Sequence, residues 1–261
     1  MSIETEIRLE RSADGLISRI LIERPAKKNA LSPAMLERLI ECVDTATGDT
    51  SRVIVIQSPV PGVFSAGADI NYLGTEEDEK GEELLQALSR RLQSAAKVTI
   101  AVSDGLTIGA GLVIFLSCDL RLATSKCIFR MPPVRLARVY DLEGIGRFVR
   151  TIGLTAATEI LLTARQFEID EARQCGLVTR VVSGLEDASA YCQNTAECPP
   201  LAQQAMKKSL YFLGTDLTGS GLDRGALKSI EELIRRAEAS EDSREALGAF
   251  HEKRSPVFTG R

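Results

Sequence analysis

Two stretches of small residues, each expected soon after an apolar strand, are where this chain's backbone can do chemistry. The first is Val63-Phe64-Ser65-Ala66-Gly67-Ala68-Asp69-Ile70, which follows the turn Pro59-Val60-Pro61-Gly62. The second is Asp104-Gly105-Leu106-Thr107-Ile108-Gly109-Ala110-Gly111-Leu112, which opens an apolar segment that reads as a buried helix. Small side chains let a ligand approach the main chain closely. Amide N–H groups in such a turn, or at the positive end of a helix dipole, are available to a negative oxygen. One N–H from each loop meeting at one carbonyl oxygen makes an oxyanion site, worth roughly 3–4 kcal/mol per donor in the best cases. Each stretch also suits an ordinary strand-to-helix connection. The Gly109-Ala110-Gly111 run lacks both the lysine of a phosphate loop and the third glycine of a dinucleotide fingerprint, so ATP and NAD binding are not supported.

Other chemistries lose support from composition. The 261 residues contain one histidine, His251, in a charged segment that reads as a C-terminal helix. A Ser-His-Asp hydrolase and a histidine-bound catalytic metal are therefore disfavoured, and no metal site is expected. Cysteines 42, 118, 127, 175, 192 and 198 form no Cys-x-x-Cys pair and read as buried thiols in a reducing compartment. The net charge of −4 gives no electrostatic footprint for nucleic acid, and Lys27-Lys28 and Arg235-Arg236 are too small as clusters to alter that. Residues 1–10 are charged and carry no apolar signal core. No apolar run approaches the ~20 residues that span a bilayer. The expected location is cytoplasmic, with neither a membrane nor a nucleic acid as partner.

The elements that must hold the two loops alternate in type. Residues 4–11, 16–23, 53–57, 98–102 and 120–123 read as strands. Ser32 before Pro33 is a helix start, followed by Met35, Leu36, Leu39, Ile40 and Val43 at helical spacing. A helix is expected over 77–96. Beyond about residue 155 the chain reads as mostly helical, with helices over 156–163, 185–195, 201–213, 222–239 and 243–253 and a short strand over 177–182. This gives an α/β fold with repeated ββα modules in its first half. The expected organisation is a core over 1–195 and a helical region over 196–261 that buries its apolar faces on the core or on a neighbouring subunit.

Several motifs in order resemble the crotonase (enoyl-CoA hydratase/isomerase) superfamily. They are Arg24-Pro25 with Lys28-Asn29-Ala30-Leu31, Phe64 to Ile70, Gly109-Ala110-Gly111, Ser117-Cys118-Asp119, Glu171-Ala172 with Gly176-Leu177-Val178, and Ala249 to Arg254. The resemblance implies a spiral of ββα turns, a helical C-terminal region that forms trimers or dimers of trimers, and a site for an acyl-CoA thioester. Coenzyme A enters as part of the substrate, and no other cofactor is implied. The oxyanion donors would be the N–H groups of Ala68 and Ala110. Lys28, Ala30 and Leu31 would lie beside the CoA, with Ala66, Asp69 and Ile70 near its adenine. Phe250 and Lys253 would close the site of a neighbouring subunit.

Hydratases of that family add water with two glutamates, and the matching positions here are Val113 and Pro133. Neither side chain transfers a proton. The run Pro133-Val134-Arg135-Leu136-Ala137-Arg138-Val139-Tyr140-Asp141-Leu142-Glu143-Gly144-Ile145 resembles the methylmalonyl-CoA decarboxylase branch, in which the position of Tyr140 is catalytic. That branch can carry a histidine in its first oxyanion loop, where this chain has Ala68. Loss of CO₂ from a 2-carboxyacyl thioester leaves an enolate and needs no general base, so backbone donors meet its chief demand. Tyr140 would hold the departing carboxylate, and Val113 would supply an apolar wall. The expectation is an acyl-CoA lyase of the decarboxylating kind. The alternatives are an enoyl-CoA hydratase or isomerase that uses Asp141 or Glu143 as acid or base, and a non-catalytic acyl-CoA binder.

Overall fold

The computed structural model describes residues 6–215 and 224–261. The expected strand start at residues 4–5 and helix start at 222–223 lie outside them. A hairpin of β1 (Ile7–Arg11) and β2 (Ile17–Ile22) opens the chain and leads to helix α1 (Pro33–Gly48). Three turns of one kind follow. The first is β3 (Val53–Gln57), β4 (Val63–Ser65) and α2 (Glu76–Ser94). The second is β5 (Val98–Ser103), β6 (Leu106–Ile108) and α3 (Ala110–Ser117). The third is β7 (Leu120–Thr124), β8 (Ile128–Arg130) and α4 (Leu142–Thr163). In each turn the first strand joins a six-stranded sheet of order β1-β2-β3-β5-β7-β10, and the second joins a four-stranded sheet of order β4-β6-β8-β9. Strand β9 (Gln166–Glu168), α5 (Ile169–Gln174) and β10 (Arg180–Val182) complete the two sheets. Helices α6 (Leu185–Ala196), α7 (Pro200–Thr215), α8 (Arg224–Glu238) and α9 (Glu241–Glu252) end the chain.

The large sheet is parallel from β2 to β10 and covered on both faces, which is why its strands are runs of branched apolar residues rather than alternations. In β3, Ile54 and Ile56 face a core shared with Leu39 and Val43 of α1 and Phe115 of α3. Val53 and Val55 face the opposite core, closed by Ala188, Cys192 and Ala196 of α6. Burying one such side chain contributes roughly 1.5–3 kcal/mol. The Ser32 start of α1 is confirmed, since its Oγ accepts the Met35 N–H at 3.3 Å with Pro33 in the first turn. The expected helix over 156–163 is only the end of α4, which starts at Leu142 and is broken by Gly153 at φ 73°.

The small sheet, with strands of three residues each, positions the two loops. Strands β4 and β6 run parallel, with Val63 opposite Leu106 and Ser65 opposite Thr107. Phe64 is the extra residue of a β-bulge between those pairs. Ala68 lies three residues beyond Ser65, and Ala110 lies three residues beyond Thr107. The paired register therefore delivers both loops to the same end of the sheet.

Candidate functional site

The first loop is tied down by groups from the segment after β2. Asn29, fully buried at φ 55°, donates from Nδ2 to the carbonyls of Ile22 (3.0 Å) and Phe64 (3.0 Å) and to Ser58 Oγ (2.7 Å). Ser65 Oγ donates to the Asn29 carbonyl (2.8 Å) and accepts the Gly67 N–H (3.1 Å). The Leu31 N–H donates to the Gly67 carbonyl (2.8 Å), and the Asp69 N–H donates to the Leu31 carbonyl (2.9 Å). Groups on both sides of Ala68 thus bond to Leu31, and in extended backbone its own N–H faces the other way. Among the described residues that N–H has no hydrogen-bond partner.

The second loop ends in the first turn of α3. Gly109, at φ 53°, donates its N–H to the Arg130 carbonyl (3.0 Å) and precedes Ala110, the first helical residue. The Ala110 N–H is one of the donors that a helix start leaves unmet, and it too has no partner among the described residues. The loops touch. A Cβ placed on Gly67, at φ 101°, would lie 3.1 Å from the Ile108 carbonyl oxygen and 3.5 Å from the Ala110 nitrogen. Only glycine allows that approach in that conformation. Two unpaired amides therefore stand on adjoining loops beside one cleft, lined by Ala66, Gly67, Ala68, Gly109 and Ala110.

The rest of the cleft holds five more of the expected site residues. Leu31, Asp69, Ile70, Pro133 and Tyr140 line it. Tyr140 is half-buried, and its hydroxyl has no hydrogen-bond partner among the described residues. Burial pushes that phenol's pKa up, and the nearby Glu82 charge adds to the shift, so it stays protonated. Lys28 and Ala30 do not line the cleft, although the Lys28 carbonyl accepts the Ala66 N–H of the first loop at 3.0 Å.

Other expected residues are placed differently. Val113 is packed in the core among the residues of α3 rather than in the cleft wall. Asp141 caps α4, its Oδ1 accepting the Gly144 N–H at 2.7 Å. Glu143 pairs with Arg90 (2.7 Å) and Arg147 (3.5 Å). Neither Asp141 nor Glu143 lines the cleft, because capping and pairing turn both carboxylates elsewhere. Phe250 is exposed on α9, and Lys253 is the left-handed residue that ends it. Neither lines the cleft of its own chain.

Three polar groups carry roles that sequence patterns did not assign. Asp119 accepts from Thr99 N (2.8 Å) and Thr99 Oγ1 (3.0 Å) and pairs with the buried Lys207 ammonium (2.7 Å), locking β7 to β5 and to α7. Arg138 reaches across the cleft mouth to Asp78 and Glu82 of α2. Arg24 pairs with Asp69 (2.8 Å) and also donates to the Ala30 carbonyl (3.0 Å).

The Arg24–Asp69 pair yields a pH-dependent expectation. Burial alone raises the Asp69 carboxyl pKa, but the Asn71 N–H and the Arg24 guanidinium outweigh it and hold the group below its ordinary value. A depressed carboxyl stabilises the fold above its unfolded value near ~3.9, and the effect is lost as pH falls through the folded one. Asp69→Asn is expected to cost about 2 kcal/mol at pH 7 in urea unfolding, with the gap to the parent protein closing below about pH 4.

Residues 12–261 match the family model described as enoyl-CoA hydratase/isomerase. The chain belongs to the enoyl-CoA hydratase/isomerase family. It is 32% identical over 261 residues to a protein named probable enoyl-CoA hydratase 2, mitochondrial, of Arabidopsis thaliana, covering 97% of this chain and 84% of that one. It is 31% identical over 247 residues to the 2,3-dehydroadipyl-CoA hydratase of Escherichia coli (strain K12), covering 93% and 94%. Among solved structures, an enoyl-CoA hydratase/carnithine racemase from Magnetospirillum magneticum superposes with a TM-score of 0.88 at 27% identity, covering 100% of this chain and 97% of that one. The crotonase fold expected from the motifs is thereby confirmed. Among the described residues, no helix is long and apolar enough to cross a membrane, and no group of His, Cys, Asp or Glu side chains is arranged to hold a metal.

Proposed function

We propose that the cleft takes an acyl-CoA thioester and stabilises negative charge on its carbonyl oxygen, in the reaction class of the enoyl-CoA hydratases and isomerases. The observation that carries this reading is the pair of unpartnered N–H groups, Ala68 and Ala110, on adjoining loops of one cleft. Both donors are backbone, so they are fixed before substrate arrives and need no reorganisation as charge develops. Relatives named as hydratases support water addition, and the family's description as hydratase/isomerase supports a double-bond shift as well. Asp141 and Glu143 are engaged outside the cleft, and Asp78 and Glu82 are paired with Arg138, so the proton in this reading is moved by Glu77 of α2, which also lines the cleft. Exposed Met206, Leu210 and Leu247 on the C-terminal helices support burial against another copy of the chain, and Phe250 and Lys253 would then reach a neighbour's site.

Decarboxylation of a small 2-carboxyacyl-CoA is a second reading, favoured by Tyr140. Its unpaired hydroxyl lines the same cleft and is available to a carboxylate leaving an enolate behind. One panel separates the two: loss of enoyl absorbance with crotonyl-CoA, and CO₂ release from methylmalonyl-CoA. Turnover of crotonyl-CoA supports the first reading. CO₂ release that falls about 10²-fold in Tyr140→Phe, with KM little changed, supports the second. Inactivity toward every thioester, together with tight CoA binding, leaves only the non-catalytic binder.

A further inference from the structure

Arg138 is the one cation that lines the cleft among the described residues. Both ends of its guanidinium are occupied, Nη1 by Asp78 and Nη2 by Glu82. These partners lie 60 and 56 residues earlier in the chain, on the first two turns of α2. Asp78 is largely shielded, at 11% side-chain exposure. Burial works against its charge, but the Arg138 hydrogen bond and the Gly74 N–H outweigh that and hold its pKa below the ordinary value, so the pair is ionised at neutral pH. Glu77 lines the cleft beside them. The guanidinium therefore faces two carboxylates directly, with Glu77 a third negative charge on the cleft wall, and among the described residues this part of the lining offers no free cation to a carboxylate on the acyl chain.

A second hollow opens behind this cluster. It shares Pro133, Arg138, Val139 and Tyr140 with the cleft and continues along Ile145, Val149 and Leu161 of α4. Arg138 thus stands at the junction of the cleft and an apolar hollow. Its approach is set by Ala137, a left-handed residue at φ 55° that ends the turn Pro133–Leu136.

We infer that the acyl end of this cleft selects an uncharged, apolar acyl chain and turns away one that ends in a carboxylate. The inference rests on the acyl-CoA reading above and names the substrate class within it. An apolar tail passes Tyr140 and is buried along Val149 and Leu161. A terminal carboxylate would lose its water beside the shielded Asp78, with the more exposed Glu82 adding to the opposing charge, and the one cation that lines the cleft among the described residues is already engaged. A carboxylate on carbon 2 sits beside the thioester by its covalent structure, so it lies outside this exclusion.

The test is equilibrium binding by calorimetry, with saturated thioesters that the proposed chemistry does not consume. Hexanoyl-CoA and adipoyl-CoA have equal chain length and differ in a terminal carboxylate. Hexanoyl-CoA is expected to bind at least about tenfold more tightly, and the ratio is expected to fall toward one in Asp78→Asn/Glu82→Gln, which frees Arg138. Leu161→Phe is expected to weaken hexanoyl-CoA while leaving acetyl-CoA unchanged. Equal or tighter binding of adipoyl-CoA by the parent protein overturns the inference while the acyl-CoA reading stands. That comparison needs no variant, so a double variant that fails to fold does not affect it. If neither CoA nor any thioester binds, the acyl-CoA reading fails, and the inference fails with it.

Discussion

Ala110→Pro is expected to leave the fold standing and to lower kcat by about 10²–10³-fold. The position is the first residue of α3, where proline is tolerated because its missing N–H would have no helical partner. The residue before a proline is restricted, and here it is Gly109 at φ 53° and ψ −122°. That conformation is the mirror image of polyproline backbone, open to glycine alone, so the ring can be accepted without moving the loop. What changes is the donor, because the ring replaces the hydrogen that faces the cleft. Ala110→Gly keeps the N–H and serves as the control. The readout is kcat with the best thioester of the panel, alongside thermal unfolding. Full activity in the proline variant, with an unchanged melting temperature, would remove Ala110 from the mechanism.

Gly105→Ala is expected to be the most destabilising glycine-to-alanine change among the described residues, at roughly 3 kcal/mol or more. A Cβ there would lie 2.0 Å from the Gly62 carbonyl oxygen and 2.2 Å from its carbon. Both are main-chain atoms, so no side-chain rotation relieves the overlap. The Leu106 N–H donates to that same oxygen at 2.9 Å, so separating the strands also breaks a bond that starts the pairing of β4 with β6. Chemical denaturation measures the loss. A variant within about 0.5 kcal/mol of the parent would mean that the main chain at Gly62 yields to the added methyl without loss.

How much of this was legible beforehand depended on the length and locality of each signal. The Ser32-Pro33 start and the branched run Val53–Gln57 are local signals, and both stand in the structure. Strands β4, β6, β8 and β9 have three residues each, too few to display a period, so the second sheet was invisible although it places the site. Helix α4 is legible only near its end because Gly144, Gly146 and Gly153 interrupt the stretch before it. Within the site, the loops announced themselves through small residues. The Asp141 cap reaches only three residues, to Gly144, and is a local signal, whereas the pairing of Glu143 with Arg90 of α2 is a fact of three dimensions. Val113 was assigned a wall and belongs to the core, because a fully buried helix has no polar face by which to tell its sides apart. Lys207 and Arg138 gave no signal, as a lone cation on a helix or loop ordinarily means a wet surface.

The bulge at Phe64 has a consequence for how this protein can vary. It sets three residues of one strand against two of the other, and from there each donor amide is an equal number of steps away. Alignment is thus stored as a tally of peptide units and not in the chemistry of any side group, which is why two plain alanines suffice at the donors. Point changes along this stretch can drift, but dropping or adding a single unit between Val63 and Ala68 would turn the first amide to the opposite side and leave its counterpart alone.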